Sequence, residues 1–224
     1  MCKSQGMKIT RFGHAAVLLE LADVRMLLDP GIFSPDDAFA LEDLDVIAVT
    51  HQHPDHVDQD RVVGLVERNP DAQLLAEPQV GDQLRCGGSD WRDITPEAEV
   101  RVRGVSITGV GGEHATIHPD LPPIGNVGML VTAVGEAVFF HPGDSYACAP
   151  AGVDVLAVPL SAPWAKVGET VDFVRAVKPR VVLPIHDRTI ADVAYSMYWG
   201  RVAEMGGTAD ARMLGQADST VVDA

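Results

Sequence analysis

The amino-acid sequence predicts an α/β fold in which two β-sheets stack face to face and helices cover their outer faces. Two stretches of the chain each contain several short apolar strands and then continue as strand, polar loop and helix. The strands predicted at 46–49 and 155–160 are apolar throughout, so both of their faces must be buried. A sandwich of two sheets buries such strands and leaves the polar loops together at one edge.

The predicted elements follow an order that suits this sandwich. Strands are predicted at 7–10, 16–21, 25–29 and 46–49, and a helix at 59–68. The middle of the chain is predicted to be mostly β, with strands at 74–76, 100–102, 105–110, 128–134 and 137–140. The last third is predicted to contain strands at 155–160 and 181–185 and helices at 169–177 and 191–205. No linker, biased segment or short repeat divides residues 1–224, so we expect one domain.

Composition and charge narrow the class of function. The 224 residues are 46% hydrophobic, and 17 Lys and Arg stand against 32 Asp and Glu, which gives a formal net charge of −15. Such a charge disfavours nucleic-acid binding, and no run approaches the roughly 20 apolar residues of a membrane span. The three cysteines show no disulfide or zinc-knuckle spacing, and the amino terminus shows no export signal. We therefore expect a cytoplasmic protein with a small-molecule substrate and no nucleic-acid or membrane partner, and the sequence leaves homo-oligomer formation open.

The segment 50–58 carries the strongest functional signal. It directly follows a buried strand and places three histidines and two aspartates within eight residues. Side chains two apart in an extended loop point to the same side, so His51 and His53 can bind one cation. The following turn directs Asp55 and His56 to a neighbouring position. A lone histidine would more simply be solvated here, but this density of ligands predicts a loop that serves two metals.

Two metals need more ligands than one loop supplies, and the chain contains further candidates. His114, Asp144 and His186 each stand just beyond the end of an apolar strand. Strand-end loops collected at one edge of a sheet pair are where binding sites usually form. A carboxylate such as that of Asp144 can bridge two cations, which lowers their mutual repulsion and fixes their spacing.

This arrangement resembles the metallo-β-lactamase superfamily, whose shared pattern is His-x-His-x-Asp-His followed by a later His, an Asp and a last His. The resemblance covers nearly the whole chain, from residues 12–15 to His186, and implies a four-layer αββα sandwich. It implies that the ligands of a first metal are His51, His53 and His114, and that those of a second metal are Asp55, His56 and His186. It also implies Asp144 as the bridge and Asp29 as a support behind the ligands.

Shorter elements resemble one branch of that superfamily. Gly-His-Ala at 13–15, Gly-Asp-Ser at 143–145 and the compact length are similar to the small metal-dependent hydrolases related to L-ascorbate-6-phosphate lactonase. The superfamily includes hydrolases of lactams, lactones, thioesters, phosphodiesters and RNA, together with sulfur dioxygenases and flavin-linked reductases. The motif therefore implies a metal site and a fold without naming a substrate.

His118 is a rival for the third ligand of the first metal. It lies four residues after His114 in a proline-rich loop. We favour His114 because it is nearer to the end of its strand, where position is best fixed. With His114 as the ligand, His118 becomes a candidate for proton transfer or substrate contact, so the catalytic candidates are Asp55 and His118.

Four further residues could border the site. His14 and His141 suit either a pocket-lining or a buried, hydrogen-bonded role. Trp164 and Lys166 lie in a loop after a predicted strand, where Trp could stack on a substrate and Lys could meet an anion. A packed Trp and a solvated Lys are the simpler interpretation of that pair.

The favoured function is hydrolysis at a dinuclear site, where hydroxide activated by two divalent metal ions attacks a small ester, lactone or phosphoester. Zn2+ suits the histidine-rich ligation best, and Mn2+ or Fe2+ would be accepted by the same set. The alternatives are a sulfur dioxygenase with a single iron and a metal-binding protein without activity. The complete second ligand set favours two metals, and a protein that had lost its activity would be expected to lack ligands.

Overall fold

The computed structural model describes residues 6–224 and consists of two seven-stranded sheets stacked face to face. Strands and helices are numbered in chain order. From edge to edge the first sheet contains β14 (Ser219–Val222), β1 (Met7–Arg11), β2 (Val17–Leu21), β3 (Val24–Leu28), β4 (Val46–Val49), β5 (Gln73–Ala76) and β6 (Arg92–Asp93). The second sheet contains β13 (Asp210–Ala211), β12 (Val181–Ile185), β11 (Val155–Pro159), β10 (Phe139–His141), β9 (Gly125–Ala133), β8 (Val105–Glu113) and β7 (Glu99–Val102).

Helices cover the outer face of each sheet. Those on the first sheet are α1 (Asp36–Phe39), α2 (Arg61–Arg68) and α3 (Pro78–Arg85), and those on the second are α4 (Val167–Val177) and α5 (Asp192–Met205). Strand β4 shows why the layers form, because Val46 packs in the cluster between the sheets while Ile47 packs with Leu65 of α2. The αββα arrangement confirms the predicted fold class, including the strands buried on both faces.

The sheet topology places the loops that contain most of the predicted metal ligands at one edge of the sandwich. Strands β3, β4 and β5 run parallel in the first sheet, and β10, β11 and β12 run parallel in the second. The carboxyl ends of parallel strands lie at the same edge of a sheet, where ligands usually bind. The residues that follow β3, β4, β10 and β12 include Asp29, the segment 50–58, Asp144 and His186.

The middle of the chain is less purely β than predicted, because α3 forms at Pro78–Arg85. Its amino terminus is well defined, since the carboxylate of Glu77 accepts hydrogen bonds from the backbone N–H groups of Gln79 and Val80. Proline in the first turn is also favourable there. With so few apolar positions, eight residues give only a weak periodic signal, which explains why the sequence did not reveal this helix.

The end of the chain returns to the first sheet. Strand β14 pairs antiparallel with β1, with Met7 opposite Val222, and covers what would otherwise be an exposed strand edge. The sequence assigned no element beyond 191–205, because this strand depends on a partner at the other end of the chain.

Cys86 and Cys148 are free thiols, and Cys2 lies outside the described residues. Within residues 6–224 no helix combines the length and the apolar character that crossing a membrane requires.

Candidate metal centre

The carboxylate of Asp29, fully buried just after β3, organises the loop that follows β4. It accepts hydrogen bonds from the backbone N–H of Thr50 at 2.8 Å and from the Thr50 hydroxyl at 2.7 Å. Because that hydroxyl donates to Asp29, it accepts from Nδ1 of His51 at 3.1 Å. Nδ1 of His56 donates to the same carboxylate at 2.7 Å. In their neutral state both histidines therefore present an unprotonated Nε2, the form that binds a metal.

Three residues at this edge have an unusual backbone conformation. His14, Asp29 and His186 have φ angles of 49°, 47° and 53°, in the left-handed region that non-glycine residues rarely occupy. Gly31 packs so closely against Asp55 that a Cβ at this position would lie 1.9 Å from the Asp55 carbonyl oxygen. Such local strain is typical of functional sites.

One cluster is formed by His51, His53, His114 and Asp144, whose ligand atoms lie within 4.8 Å of one another. Nε2 of His51 and Nδ1 of His53 are 3.2 Å apart. Nδ1 of His114 donates to the backbone carbonyl of Ala115 at 2.6 Å, which leaves its Nε2 for a ligand. The structure thus brings the three residues predicted for the first metal around one point.

A second cluster is formed by His14, Asp55, His56 and His186, again with ligand atoms within 4.8 Å. Nδ1 of His186 donates to the backbone carbonyl of Ser161 at 2.6 Å. Its Nε2 is therefore the ring nitrogen available to the cluster, 3.3 Å from Oδ2 of Asp55. The three residues predicted for the second metal also lie together.

Asp144 joins the two clusters. Its Oδ1 lies 3.1 Å from Nε2 of His56, and its Oδ2 lies 3.1 Å from Nε2 of His186 and 3.4 Å from Nε2 of His114. A single carboxylate is therefore in reach of histidines from both clusters. This is the position that a bridge between two cations would occupy.

The hydrogen bonds of His14 favour a donor over a metal ligand. The backbone N–H of Arg188 donates to Nδ1 of His14 at 3.2 Å, so the proton of the neutral ring lies on Nε2. Nε2 then donates to Oδ2 of Asp55 at 2.9 Å. Burial lowers the pKa of His14 to about 4 even though its hydrogen bond to Asp55 raises it, so the ring is neutral at pH 7. Of the two roles open to His14 from the sequence, this is the buried, hydrogen-bonded one, and it orients a predicted ligand.

The charges of the centre are strongly coupled. Burial raises the pKa of Asp144, but the adjacent His56 and His186 lower it more, so this carboxylate stays ionised. Burial lowers the pKa of His186, but Asp144 and Asp55 outweigh it and raise the value to about 9. The pKa of His56 is also raised, because Asp144 and Asp29 outweigh the effect of its burial. In the absence of a cation, protons on two histidines thus balance the buried carboxylates.

The residues present fit a metal ion. Three buried atoms here make no hydrogen bond of good geometry among the described residues, namely Nε2 of His56, Nε2 of His114 and Oδ1 of Asp144. Nε2 of His56 and Oδ1 of Asp144 are 3.1 Å apart, so only a proton or a cation between them makes this contact favourable. An unsatisfied buried polar group costs about 1–3 kcal/mol and is rare. Imidazole nitrogens and carboxylate oxygens are the ligands that zinc and related transition metals take. A cation would satisfy all three atoms.

The sequence did not reveal how Asp144 is held. Nε1 of the half-buried Trp164 donates to Oδ2 of Asp144 at 2.9 Å, and the side-chain oxygen of Asn126 accepts from the Asp144 backbone N–H at 2.9 Å. Trp164 is therefore more than a packed ring, because its N–H positions the shared carboxylate. Stacking of its ring on a substrate stays a prediction. Lys166 is exposed and lies 3.2 Å from Glu169, as expected of a solvated lysine.

Two other histidines lie outside both clusters. The side chain of His118 is 62% exposed and lies 3.6 Å from Asp120, so its role in proton transfer stays a prediction. Nε2 of His141 donates to the carbonyl of Ala15 at 3.0 Å, and its Nδ1 accepts from the N–H of Gly143 at 3.1 Å. His141 thus has the buried, hydrogen-bonded role and ties β10 to the turn before β2.

We expect His114→Ala to lower the metal content by about one ion per chain, because it removes a ligand nitrogen from the first cluster. His118→Ala is the matched control, from the same loop, and should retain the wild-type metal content. Elemental analysis of the purified variants measures both. Loss of metal in His118→Ala together with full occupancy in His114→Ala would exchange the two roles.

The chain is similar to known proteins over most of its length, and not only at the metal centre. A family model described as the β-lactamase superfamily domain matches residues 8–186. Protein Rv0786c of Mycobacterium tuberculosis is 42% identical over 203 residues, which cover 90% of this chain and 94% of that protein. A UPF0173 metal-dependent hydrolase of Xanthobacter autotrophicus is 32% identical over 154 residues, 62% of each chain. The structure of Igni18, a metallo hydrolase from Ignicoccus hospitalis, superposes with a TM-score of 0.77 at 19% identity, covering 97% of this chain and 99% of that one. None of these three names mentions a lactonase, so the likeness to that branch stays a prediction.

Proposed function

The chain belongs to the metallo-β-lactamase superfamily and is a metal-dependent hydrolase, and we propose that it cleaves a small ester, lactone or phosphoester with the help of two divalent cations. One observation carries the proposal: two clusters of ligand atoms share the carboxylate of Asp144. A site for a single metal needs only one of these clusters.

Each of the two clusters would supply the ligands of one cation. The first cation would be held by His51, His53 and His114, the second by Asp55, His56 and His186, and both by Asp144. When bound, two such cations supply Lewis acidity that makes water nucleophilic near neutral pH and polarises the oxygen of the substrate.

The supporting residues keep the ligand atoms directed inward. Asp29 accepts from Nδ1 of His56, His14 donates to Asp55, and Trp164 donates to Asp144. Each bond fixes the orientation of a ligand before a cation arrives, so the site is organised in advance. The net charge of −15 disfavours the approach of polyanions, which supports a small-molecule substrate.

Zinc is the metal that we propose. The histidine-rich first cluster suits Zn2+, and the carboxylates in both clusters would also accept Mn2+ or Fe2+. A sulfur dioxygenase with a single iron would use the first cluster alone. The complete second cluster, with its own supporting hydrogen bonds, favours the hydrolase.

The proposed function is tested by measuring the metal content of the protein and by screening substrates. We expect protein from metal-replete medium to contain about two transition-metal ions per chain and to hydrolyse a member of an ester, lactone and phosphodiester panel. One iron per chain with oxygen consumption on a persulfide would favour the dioxygenase. Protein that binds no metal would contradict both enzymes.

A further inference from the structure

The loop between β8 and β9 carries exposed apolar side chains beside the first cluster. Residues 116–123 are all exposed, although they include Ile117 and Leu121, with exposed fractions of 39% and 53%. The base of the loop is tied to the metal centre, because the backbone N–H of Ala115 donates to the carbonyl of Asp144 at 2.8 Å. These apolar side chains therefore stand next to the ligands and outside the hydrophobic core.

A cavity of about 530 Å³ is formed by this loop and the first cluster. Its lining includes His53 and His114 on the metal side and Ile117, Leu121 and Ile124 on the loop side. Among the described residues, no Asp, Glu, Lys or Arg lines it, although 22% of the sequence is charged. Apart from the cation that His53 and His114 would hold on one side, a charged group in this cavity would find no opposite charge on its walls, whereas an apolar group would find matching surface.

Apolar side chains also border the second cluster. Ile32 and Phe33, in the loop after β3, are 47% and 42% exposed. The backbone N–H of Ile32 donates to the carbonyl of Pro54 at 2.8 Å, and the ring of Phe33 lies edge-on to that of His14 at 5.1 Å. Two separate loops thus place exposed apolar side chains around one metal centre, a pattern that marks binding surfaces.

The other cavity beside His114 has a different character. It has a volume of about 520 Å³, and its lining includes Trp164, Lys166 and Glu169. The ionic side chains Lys166 and Glu169 are therefore on this side of His114, and the aliphatic side chains of Ile117, Leu121 and Ile124 are on the loop side. The two sides suit different parts of one substrate.

We propose that the cavity bounded by His53, His114, Ile117, Leu121 and Ile124, the acyl subsite, binds an uncharged alkyl or acyl chain of the substrate. The inference rests on the proposed function and deepens it, because it names the substrate class as esters or lactones of apolar carboxylic acids. When such a chain enters, apolar surface of the chain and of the loop leaves water, which favours binding. A phosphate group would find no lysine or arginine among the described residues that line this subsite.

The first experiment measures kcat/KM of the metal-loaded protein on 4-nitrophenyl acetate, butyrate, hexanoate and octanoate. We expect kcat/KM to rise about two- to fourfold for each methylene that the subsite buries. Leu121→Ser and Ile117→Ser should each lower the ratio of octanoate to acetate activity about threefold or more. Val134→Ser, at a fully exposed residue just after β9, is the matched control and should keep the wild-type ratio.

A second experiment measures binding without turnover. Calorimetry with acetate, butyrate, hexanoate and octanoate should show an affinity that increases with chain length in the wild type and less steeply in Leu121→Ser. Equal affinities along the wild-type series would overturn the acyl subsite, and so would equal hydrolysis of all four esters. Affinity that increases with length while no ester is hydrolysed would support the subsite and contradict the proposed ester hydrolysis.

Discussion

Asp144→Asn is expected to lower hydrolysis at least about a hundredfold while the fold remains intact. Losing a residue that only supports a metal ligand already costs about 10- to 100-fold in metal affinity or activity, and Asp144 lies in reach of both clusters. The substitution preserves size and one oxygen. It removes the negative charge that would offset two adjacent cations.

The hydrogen bonds of Asp144 indicate how the amide would sit. Because Nε1 of Trp164 donates to Oδ2, the amide oxygen of the variant takes that position and the amide NH2 takes the position of Oδ1. Oδ1 lies 3.1 Å from Nε2 of His56, so the amide would donate to the lone pair that the second cation needs. We therefore expect the second metal to be lost first, and the pH of half-maximal residual activity to rise.

Asp60→Asn is the matched control for this substitution. Asp60 is an exposed carboxylate just before α2, and its side chain makes no capping hydrogen bond. This variant should retain the metal content, the turnover and the melting temperature of the wild type. An Asp144→Asn protein with two tightly held metals and undiminished turnover would show that Asp144 is not the bridge.

The fold class and the candidate ligands could be predicted because they depend on local patterns, whereas the division of the ligands between two metals was implied by the family resemblance. The apolar run of β4 indicates a buried strand, and the segment 50–58 follows it at once, so its side chains must emerge at the carboxyl edge of the sheet. The same rule locates His114, Asp144 and His186. Polar residues at strand ends are visible in a sequence without knowledge of what they touch.

Apart from the support by Asp29, which the family resemblance implied, the supporting contacts could not be predicted, because they join residues far apart in the chain. The proton position on His14 depends on the backbone N–H of Arg188, and the orientation of Asp144 depends on a tryptophan from another loop. No sequence spacing encodes such pairs. For the same reason the sequence could favour His114 over the exposed His118 only by its distance from the end of the strand, and not by any contact.

Metal removal is expected to lower the melting temperature by about 5–15 °C at neutral pH. A ligand present at 100 to 1,000 times its dissociation constant stabilises the folded state by about 2.7–4.1 kcal/mol. In a chain of this size each kcal/mol shifts the melting temperature by about 2–4 °C. The stabilisation arises at the two clusters, where a cation replaces protons and satisfies buried atoms of His56, His114 and Asp144.

This difference should widen between pH 6.5 and 9. Burial alone would lower the pKa of His186, but Asp144 and Asp55 raise it from 6.5 to about 9 in the metal-free protein. A proton held more tightly by the folded than by the unfolded chain stabilises the fold fully below pH 6.5, and the contribution disappears as the pH rises through about 9. His56 acts in the same direction. In the metal-loaded protein the cation has displaced these protons, so the loaded form has no such contribution to lose.

Melting temperatures of dialysed metal-free and metal-loaded protein at pH 6.5, 7.5 and 9 measure this effect. His118→Ala, whose ring lies outside both clusters, should show the wild-type widening. Asp144→Asn should show a smaller difference between the two forms, because its second site holds the cation weakly. A wild-type difference that stays constant from pH 6.5 to 9 would contradict the exchange of protons for a cation at His186, since that exchange requires the metal-free form alone to lose stability as His186 deprotonates.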